Sequence, residues 1–450
     1  MDWSDFSGKK IGLAGAGREN LSLIPHLIQA GATIVLGEQW ESELPSNIQG
    51  KIKAVIGPDH LSALVDCDYI FRSPGLPLER LKQAVGDKPQ LTSAVDLLLA
   101  LRGRQTIAVT GTKGKGTTAT MITAILKAAG RDVILAGNIG NSIYDDWQKI
   151  TDQTVIVMEL SSFQLEDITH APHIAVVLPI TADHLQPLSE RSPNFHRDLL
   201  SYIAAKQQIT AHQGPDDLVV YSLDSQASTQ IGQSSSAQKV GVSIKTKADV
   251  FAGGGVLRVG QDEVDLSKET KLRGDHLFHN AAMAAAVGQA EGVAVGKIIE
   301  GLGNYRPLPH RMETVGKFNG IEFVDDSYAT APDATIAALS AFTDQPVVII
   351  LGGSSKGADF SELAKAAAGI KVAVLIGQEA NNIAAAFKKY APGVTLITGV
   401  NRFKDAVETA VHRAIPGDVV LLSPACASKD MFKDAAERGE KFVKFVHELV

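Results

Sequence analysis

The run Gly111-Thr112-Lys113-Gly114-Lys115-Gly116-Thr117-Thr118 constrains this chain more than any other feature. It stands between an apolar, β-branched stretch, Thr106–Thr110, and a helical pattern from Thr117 to Ala129 that Gly130 closes. Glycines let backbone N–H groups turn inward around phosphate oxygens, where a Cβ would block the approach. A helix that starts at such a loop adds partial positive charge. Lys115 is placed to reach β- and γ-phosphates, and a hydroxyl just after it would normally hold Mg²⁺. The spacing departs from the full phosphate loop, which would have Gly at position 109, where this chain has Val109. Gly116 follows the lysine, so the metal hydroxyl comes from Thr117 or is replaced by water.

Around this loop, short β-branched runs alternate with longer helical patterns, the signature of parallel sheets flanked by helices. The 450 residues suggest about three domains. The first, residues 1–94, opens with a strand Lys10–Ala14, a turn through Gly15, Ala16 and Gly17, a helix and a second strand at Thr33–Leu36. Its strand Tyr69–Arg72 runs into Ser73-Pro74-Gly75. Gly12, Gly15 and Gly17 do not match the spaced dinucleotide fingerprint, and a bland tight turn and a nucleotide contact are both open. The central domain, 95–306, carries the phosphate loop and strands at Val155–Glu159 and Ile174–Leu178. Within it, residues 215–270 read as short strands and turns, a peripheral insertion with little chemistry. The third, 307–450, has strands at Val347–Leu351, Val372–Ile376, Val394–Thr398 and Val419–Leu422. The expected class is α/β, with Rossmann-like N- and C-terminal domains about a P-loop ATPase-like centre.

Bulk properties remove several alternatives. The net charge of −7 argues against a sequence-independent grip on nucleic acid. No apolar run is long enough to span a bilayer, and the acidic N-terminus lacks the basic start of a signal peptide. Cys67 and Cys426 are the only cysteines, which points to a reducing cytoplasm rather than a disulfide framework.

Two further strands end in polar residues, Glu159-Leu160-Ser161-Ser162 and Thr181-Ala182-Asp183-His184. Ligands of open α/β sheets bind beyond the carboxyl ends of strands, so these clusters and the glycine loop form one candidate site. Glu159 and His184 could share a divalent cation, although Mg²⁺ prefers oxygen ligands. His184 alone would read as a hydrogen-bonded structural histidine. Lys206, on a helical stretch, reads as a solvated surface charge from its residue type.

Several longer motifs add a resemblance. Leu421–Lys433 (LLSPACASKDMFK), Gly137-Asn138-Ile139-Gly140, Glu159–Leu165 (ELSSFQL), Pro309-His310-Arg311 and Leu351-Gly352-Gly353 resemble the muramyl ligases, the C-terminal run most of all their D-glutamate-adding branch. The resemblance implies three domains, for a UDP moiety, ATP and an incoming amino acid. A substrate carboxylate attacks the γ-phosphate, and the amine of the amino acid then displaces phosphate. The substrates implied are ATP with Mg²⁺, UDP-N-acetylmuramoyl-L-alanine and D-glutamate, on a monomer with no nucleic-acid or membrane partner.

By the same resemblance, Gly111, Thr112, Lys113, Gly114, Lys115, Gly116 and Thr117 face ATP, with Asn280 on adenine, Arg311 on phosphate and Asp326 on ribose. Lys115, His184 and Lys206 are implied to be catalytic. Thr117, Glu159, His184 and a carbamylated Lys206 match metal ligands. Ser73, Pro74, Gly75, Asn138 and Ser161 match contacts to the nucleotide-linked acid, and Thr330, Lys356 and Ser428 match residues holding D-glutamate. The chain departs from the pattern at Gly37-Glu38, Gly116, Pro179, Gln186, Tyr328 and Ala435. Two other readings follow from these departures: a related muramyl or folylpolyglutamate-type ligase using another amino acid, and a non-catalytic nucleotide-binding homologue.

Overall fold

A computed structural model describes every residue except 41–43, 46–47, 139–141, 187–192, 271, 307–308, 343, 356–357 and 450. The chain forms two compact units, residues 1–272 with 277–305, and residues 273–276 with 306–450. The first unit contains two sheets and the second unit one.

The first sheet is β1 (Lys10–Ala14), β2 (Thr33–Glu38), β3 (Lys53–Ile56), β4 (Tyr69–Arg72) and β5 (Gln90–Thr92). All pair in parallel, in the order β3-β2-β1-β4-β5. β1 lies centrally because it is apolar on both faces, with Ile11, Leu13 and Ala14 fully buried. The chain leaves β1 toward β2 on one side and returns to β4 on the other. The turn after β1 therefore opens at a topological switch point.

The second sheet runs β6 (Thr106–Thr110), β7 (Val133–Gly137), β8 (Val155–Glu159), β9 (Ile174–Val177), β10 (Leu218–Ser222), β11 (Gln238–Ser243), β12 (Val250–Gly253), β13 (Val256–Val259) and β14 (Asp262–Asp265). Their order is β14-β13-β12-β11-β10-β9-β6-β8-β7. β6 sits between β8 and β9, so the three polar strand ends read from the sequence are neighbours. The reading of 215–270 as a peripheral insertion is corrected. β10 and β11 continue the parallel sheet beside β9, and only β12–β14 form an antiparallel edge. Ser, Gly and Gln runs between these strands masked short apolar cores such as Val219-Val220, which are fully buried.

The second unit holds β15 (Glu313–Phe318), β16 (Ile321–Asp325), β17 (Val347–Gly352), β18 (Ile370–Ile376), β19 (Thr395–Ile397) and β20 (Val419–Leu422), in the order β15-β16-β20-β17-β18-β19. β15 alone is antiparallel. β20 inserts between β16 and β17, which places the segments after Asp325, Gly352 and Leu422 side by side. Two apolar layers cover the sheet, one against Leu363, Ile383 and Phe387, the other against Val407, Phe442 and Val446. The expected fold class, α/β with three largely parallel sheets, is what the chain adopts.

Candidate active site

Between β6 and the helix Lys115–Ala128, Gly111 (φ +147°) and Gly114 (φ +81°) turn the backbone. A Cβ on Gly114 would lie 2.5 Å from Asn280 Oδ1, so Asn280 packs directly on the loop from the helix Asp275–Ala290. Thr112 is the loop's internal anchor. Its N–H donates to Pro179 O (3.0 Å), and its Oγ1 donates to Thr181 O (3.0 Å) and accepts from Thr181 N–H (2.9 Å). Pro179 thus serves through its carbonyl, which any residue supplies. Lys113 is exposed and lies 3.7 Å from Asp183, Lys115 Nζ donates to Thr112 O at 3.1 Å, Gly116 is buried and Thr117 half-buried.

Glu159 ends β8 and is 3% exposed, with Asn138 Nδ2 donating to its Oε1 at a long 3.5 Å. Asn138 also donates its backbone N–H to Glu159 O. His184 adopts a left-handed φ of 57° with its ring edge-on to Phe163. Burial, with Lys115, Lys206 and Lys113 nearby, holds its pKa below the usual value against the pull of Asp183.

Lys206 overturns its residue-type reading. It is 1% exposed, on a helix, Leu199–Ala211, whose Tyr202, Ala205 and Ile209 are also buried. Its Nζ donates to Gly111 O (2.8 Å) and lies 4.6 Å from the centre of the Tyr202 ring. Burial, followed by repulsion from Lys115, drives its pKa well down, while Asp183 and Glu159 oppose the shift. The apolar residues beside it were the available signal, because a lysine four residues from a buried Tyr202 shares its helix face.

A cleft of about 350 Å³ opens beside this cluster in the same unit. It is lined by Ser73, Pro74, Asn138, Ser161, Phe163 and Arg72, among others. Ser161 caps the short helix Ser162–Leu165, its Oγ accepting from Gln164 N–H. Ser73 packs on the first glycine turn, where a Cβ on Gly15 or Gly17 would collide with it, and its N–H donates to Ala14 O at 2.9 Å. Arg72 was missed. It is 1% exposed and donates to Asp167 Oδ2 (2.6 Å), Leu76 O (2.8 Å) and Phe163 O (2.7 Å), tying the first sheet to the second. Its position at the carboxyl end of β4 was legible by the strand-end rule. His196 was also missed. Its ring stacks on Phe163 at 4.7 Å, meets Ser162 Oγ at 2.9 Å, and burial lowers its pKa to about 4. The departure Glu38 accepts the Ala16 N–H at 2.6 Å, closing the first glycine turn.

In the second unit, Asp326 is 7% exposed and accepts from Ser423 Oγ (2.8 Å) and Met312 N–H (3.2 Å). Arg311 is exposed and Thr330 half-buried. Ser428 is 4% exposed, its carbonyl accepting from Phe432 N–H. Ala435 O accepts from Ser327 Oγ. Lys356 lies outside the described residues.

Residues 109–288 match the family model of the Mur ligase middle domain, and residues 310–426 that of the Mur ligase glutamate ligase domain. The UDP-N-acetylmuramoylalanine–D-glutamate ligase of Pelotomaculum thermopropionicum is 36% identical over 460 residues, covering 99% of both chains. That of Clostridioides difficile is 32% identical over 463 residues, covering 99% of this chain and all of its own. Among solved structures, MurF from Acinetobacter baumannii has a TM-score of 0.62 at 18% identity, covering 99% of this chain and 92% of its own. The UDP-N-acetylmuramate–alanine ligase MurC of Thermotoga maritima has a TM-score of 0.60 at 19% identity, covering 98% and 99%. At such identities these two establish the shared fold. With full-length relatives above 30% identity, the chain belongs to the Mur ligase family, alongside the UDP-N-acetylmuramoylalanine–D-glutamate ligases.

Proposed function

We propose that this chain joins D-glutamate to UDP-N-acetylmuramoyl-L-alanine in peptidoglycan precursor synthesis, coupled to cleavage of ATP to ADP and phosphate. The names of its full-length relatives support the reaction. The observation that carries the chemistry is Lys206, a buried amine seated on the Gly111 carbonyl with Lys115, Asp183 and Glu159 as its charged neighbours. Residues 1–94 take the UDP end of the acceptor, 95–306 take ATP, and 307–450 take the amino acid.

Glu159 is a buried carboxylate with one long hydrogen bond, a donor that suits an oxygen-preferring Mg²⁺. Glu159, His184 and Thr117 would hold that ion, which would neutralise charge on the transferring phosphate. Lys115 swings from Thr112 O onto the β- and γ-phosphate oxygens, while Gly111, Thr112, Lys113, Gly114 and Gly116 line the phosphate path. Asn280 faces adenine, Asp326 the ribose and Arg311 a phosphate. Lys206, whose charged form burial disfavours, would react as the free amine, adding CO₂ at Nζ and releasing one proton to give a carbamate anion that would add to the metal's ligand set.

Ser73, Pro74, Gly75, Asn138 and Ser161 seat the acceptor so that its carboxylate oxygen attacks the γ-phosphorus and ADP leaves. Catalysis here is positioning and charge neutralisation. Thr330, Lys356 and Ser428 hold the carboxylates of D-glutamate, whose amine then attacks the acyl carbon and expels phosphate. The enzyme works as a cytoplasmic monomer; among the described residues no helix is long and apolar enough to cross a membrane. A panel of amino acids assayed for ADP release with UDP-N-acetylmuramoyl-L-alanine tests the reading. D-glutamate alone should support turnover, and equal rates with L-glutamate would contradict it.

A further inference from the structure

The turn that presents Arg311 is unusually constrained. His310 and Met312, on either side, adopt left-handed φ values of 62° and 51°. Such conformations persist only where surrounding contacts impose them. Four hydrogen bonds do so here. His310 N–H donates to Glu313 Oε2 (2.8 Å), His310 Nδ1 meets Asp325 Oδ2 (2.7 Å), Met312 N–H donates to Asp326 Oδ1 (3.2 Å), and Tyr328 N–H donates to His310 O (3.1 Å).

The side chain of Arg311 is placed by something else. Its Cζ lies 5.0 Å from the centre of the Tyr328 ring, within cation–π range. The His310 imidazole also lies against that ring, 6.2 Å away and inclined by 21°. Among the described residues Arg311 makes no hydrogen bond or ion pair, and neither does the Tyr328 hydroxyl. Tyr328 is 40% exposed, so it is not there to fill the core. What it offers Arg311 is a ring face. An arginine laid on a ring keeps its planar edge of N–H donors for an anion, and it loses less rotamer freedom when the anion arrives.

We propose that Tyr328 is a positioning residue: its ring holds the Arg311 guanidinium over its face and presents it to a phosphate of the nucleotide. This rests on the reading of Arg311 as a phosphate contact. It also gives a physical role to one of the positions where the sequence departs from its family.

The test measures ADP binding and the KM for ATP in the full-length enzyme, with the KM for D-glutamate as control. Tyr328→Phe keeps the ring and should match the parent. Tyr328→Leu should weaken nucleotide affinity by about two- to fivefold, the factor expected of an exposed cation–π contact, and leave the KM for D-glutamate unchanged. Arg311→Ala should weaken nucleotide binding further, and adding Tyr328→Leu to it should have no additional effect. Unchanged nucleotide affinity in Arg311→Ala removes the phosphate reading of Arg311 and the proposal with it. If Arg311→Ala is impaired while Tyr328→Leu matches the parent, Arg311 keeps its role and the Tyr328 proposal fails. It fails equally if Tyr328→Leu weakens binding as much without Arg311 as with it, or if Tyr328→Phe is as impaired as Tyr328→Leu.

Discussion

Burial pushes the Asp326 carboxyl up to about 7, although Ser423 Oγ, Met312 N–H and the Arg311 charge pull it down. A carboxyl whose folded pKa exceeds its unfolded value favours the folded state below about 4 and loses that contribution as pH rises through 7. Three pH units correspond to roughly 4 kcal/mol. Without nucleotide, the stability of the parent should therefore fall between pH 4 and 7, and Asp326→Asn should flatten much of that fall in urea titrations. An identical pH profile in the variant would show that Asp326 is already ionised at low pH. Lys206 gives a second residue-scale expectation. Lys206→Ala should be nearly inactive, and short carboxylic acids in the buffer should restore part of the rate, because the missing group would be an anion in a pocket of fixed shape. Full activity in the variant would return Lys206 to a structural role. The environment of Lys206 was not legible from its residue type, since lysines on helices are mostly solvated. It became legible only with the apolar face of its helix.

At the scale of elements, strands with continuous apolar runs were the most readable. β1, β4, β6, β8 and β20 match the sequence reading residue for residue. In the β10–β14 region the short strands were legible but their place in the sheet was not, because small polar residues separate them and the edge is antiparallel. The helix Ala435–Leu449 hid a different feature. Its Arg438 is fully buried and donates to Ser327 Oγ (3.0 Å), Ser327 O (2.8 Å) and Cys426 O (3.1 Å), with its pKa lowered to about 10 by burial. The guanidinium thereby clamps the turn after β16 to the turn after β20, which carry Asp326 and Ser428. Arg438→Met should cost about 2–5 kcal/mol in unfolding free energy, because carbonyls left buried without donors each cost about 1–3 kcal/mol. A loss under about 0.5 kcal/mol would place it among ordinary surface changes and would mean that the turns hold themselves.

Across the whole molecule, one rule accounts for most of the candidate site. Three sheets each present candidate residues at the carboxyl ends of central strands: Gly15 and Ser73 in the first, Gly111, Glu159 and the segment leading to His184 in the second, Asp326 and Ser423 in the third. The sequence displayed these strand ends as polar residues after apolar runs, so the phosphate loop and Glu159 could be read directly. The strand-end position of Arg72 could be read as well, but not its partners, and His196 could not be read at all, since those contacts depend on which loop packs against which. The central claim is that this site transfers a phosphoryl group to a substrate carboxylate before the amide forms. It is tested most directly by labelling the carboxylate of UDP-N-acetylmuramoyl-L-alanine with heavy oxygen and following the label during turnover with ATP and D-glutamate. The expected result is ADP, with one labelled oxygen transferred to each phosphate released. Unlabelled phosphate, or AMP in place of ADP, would contradict the account.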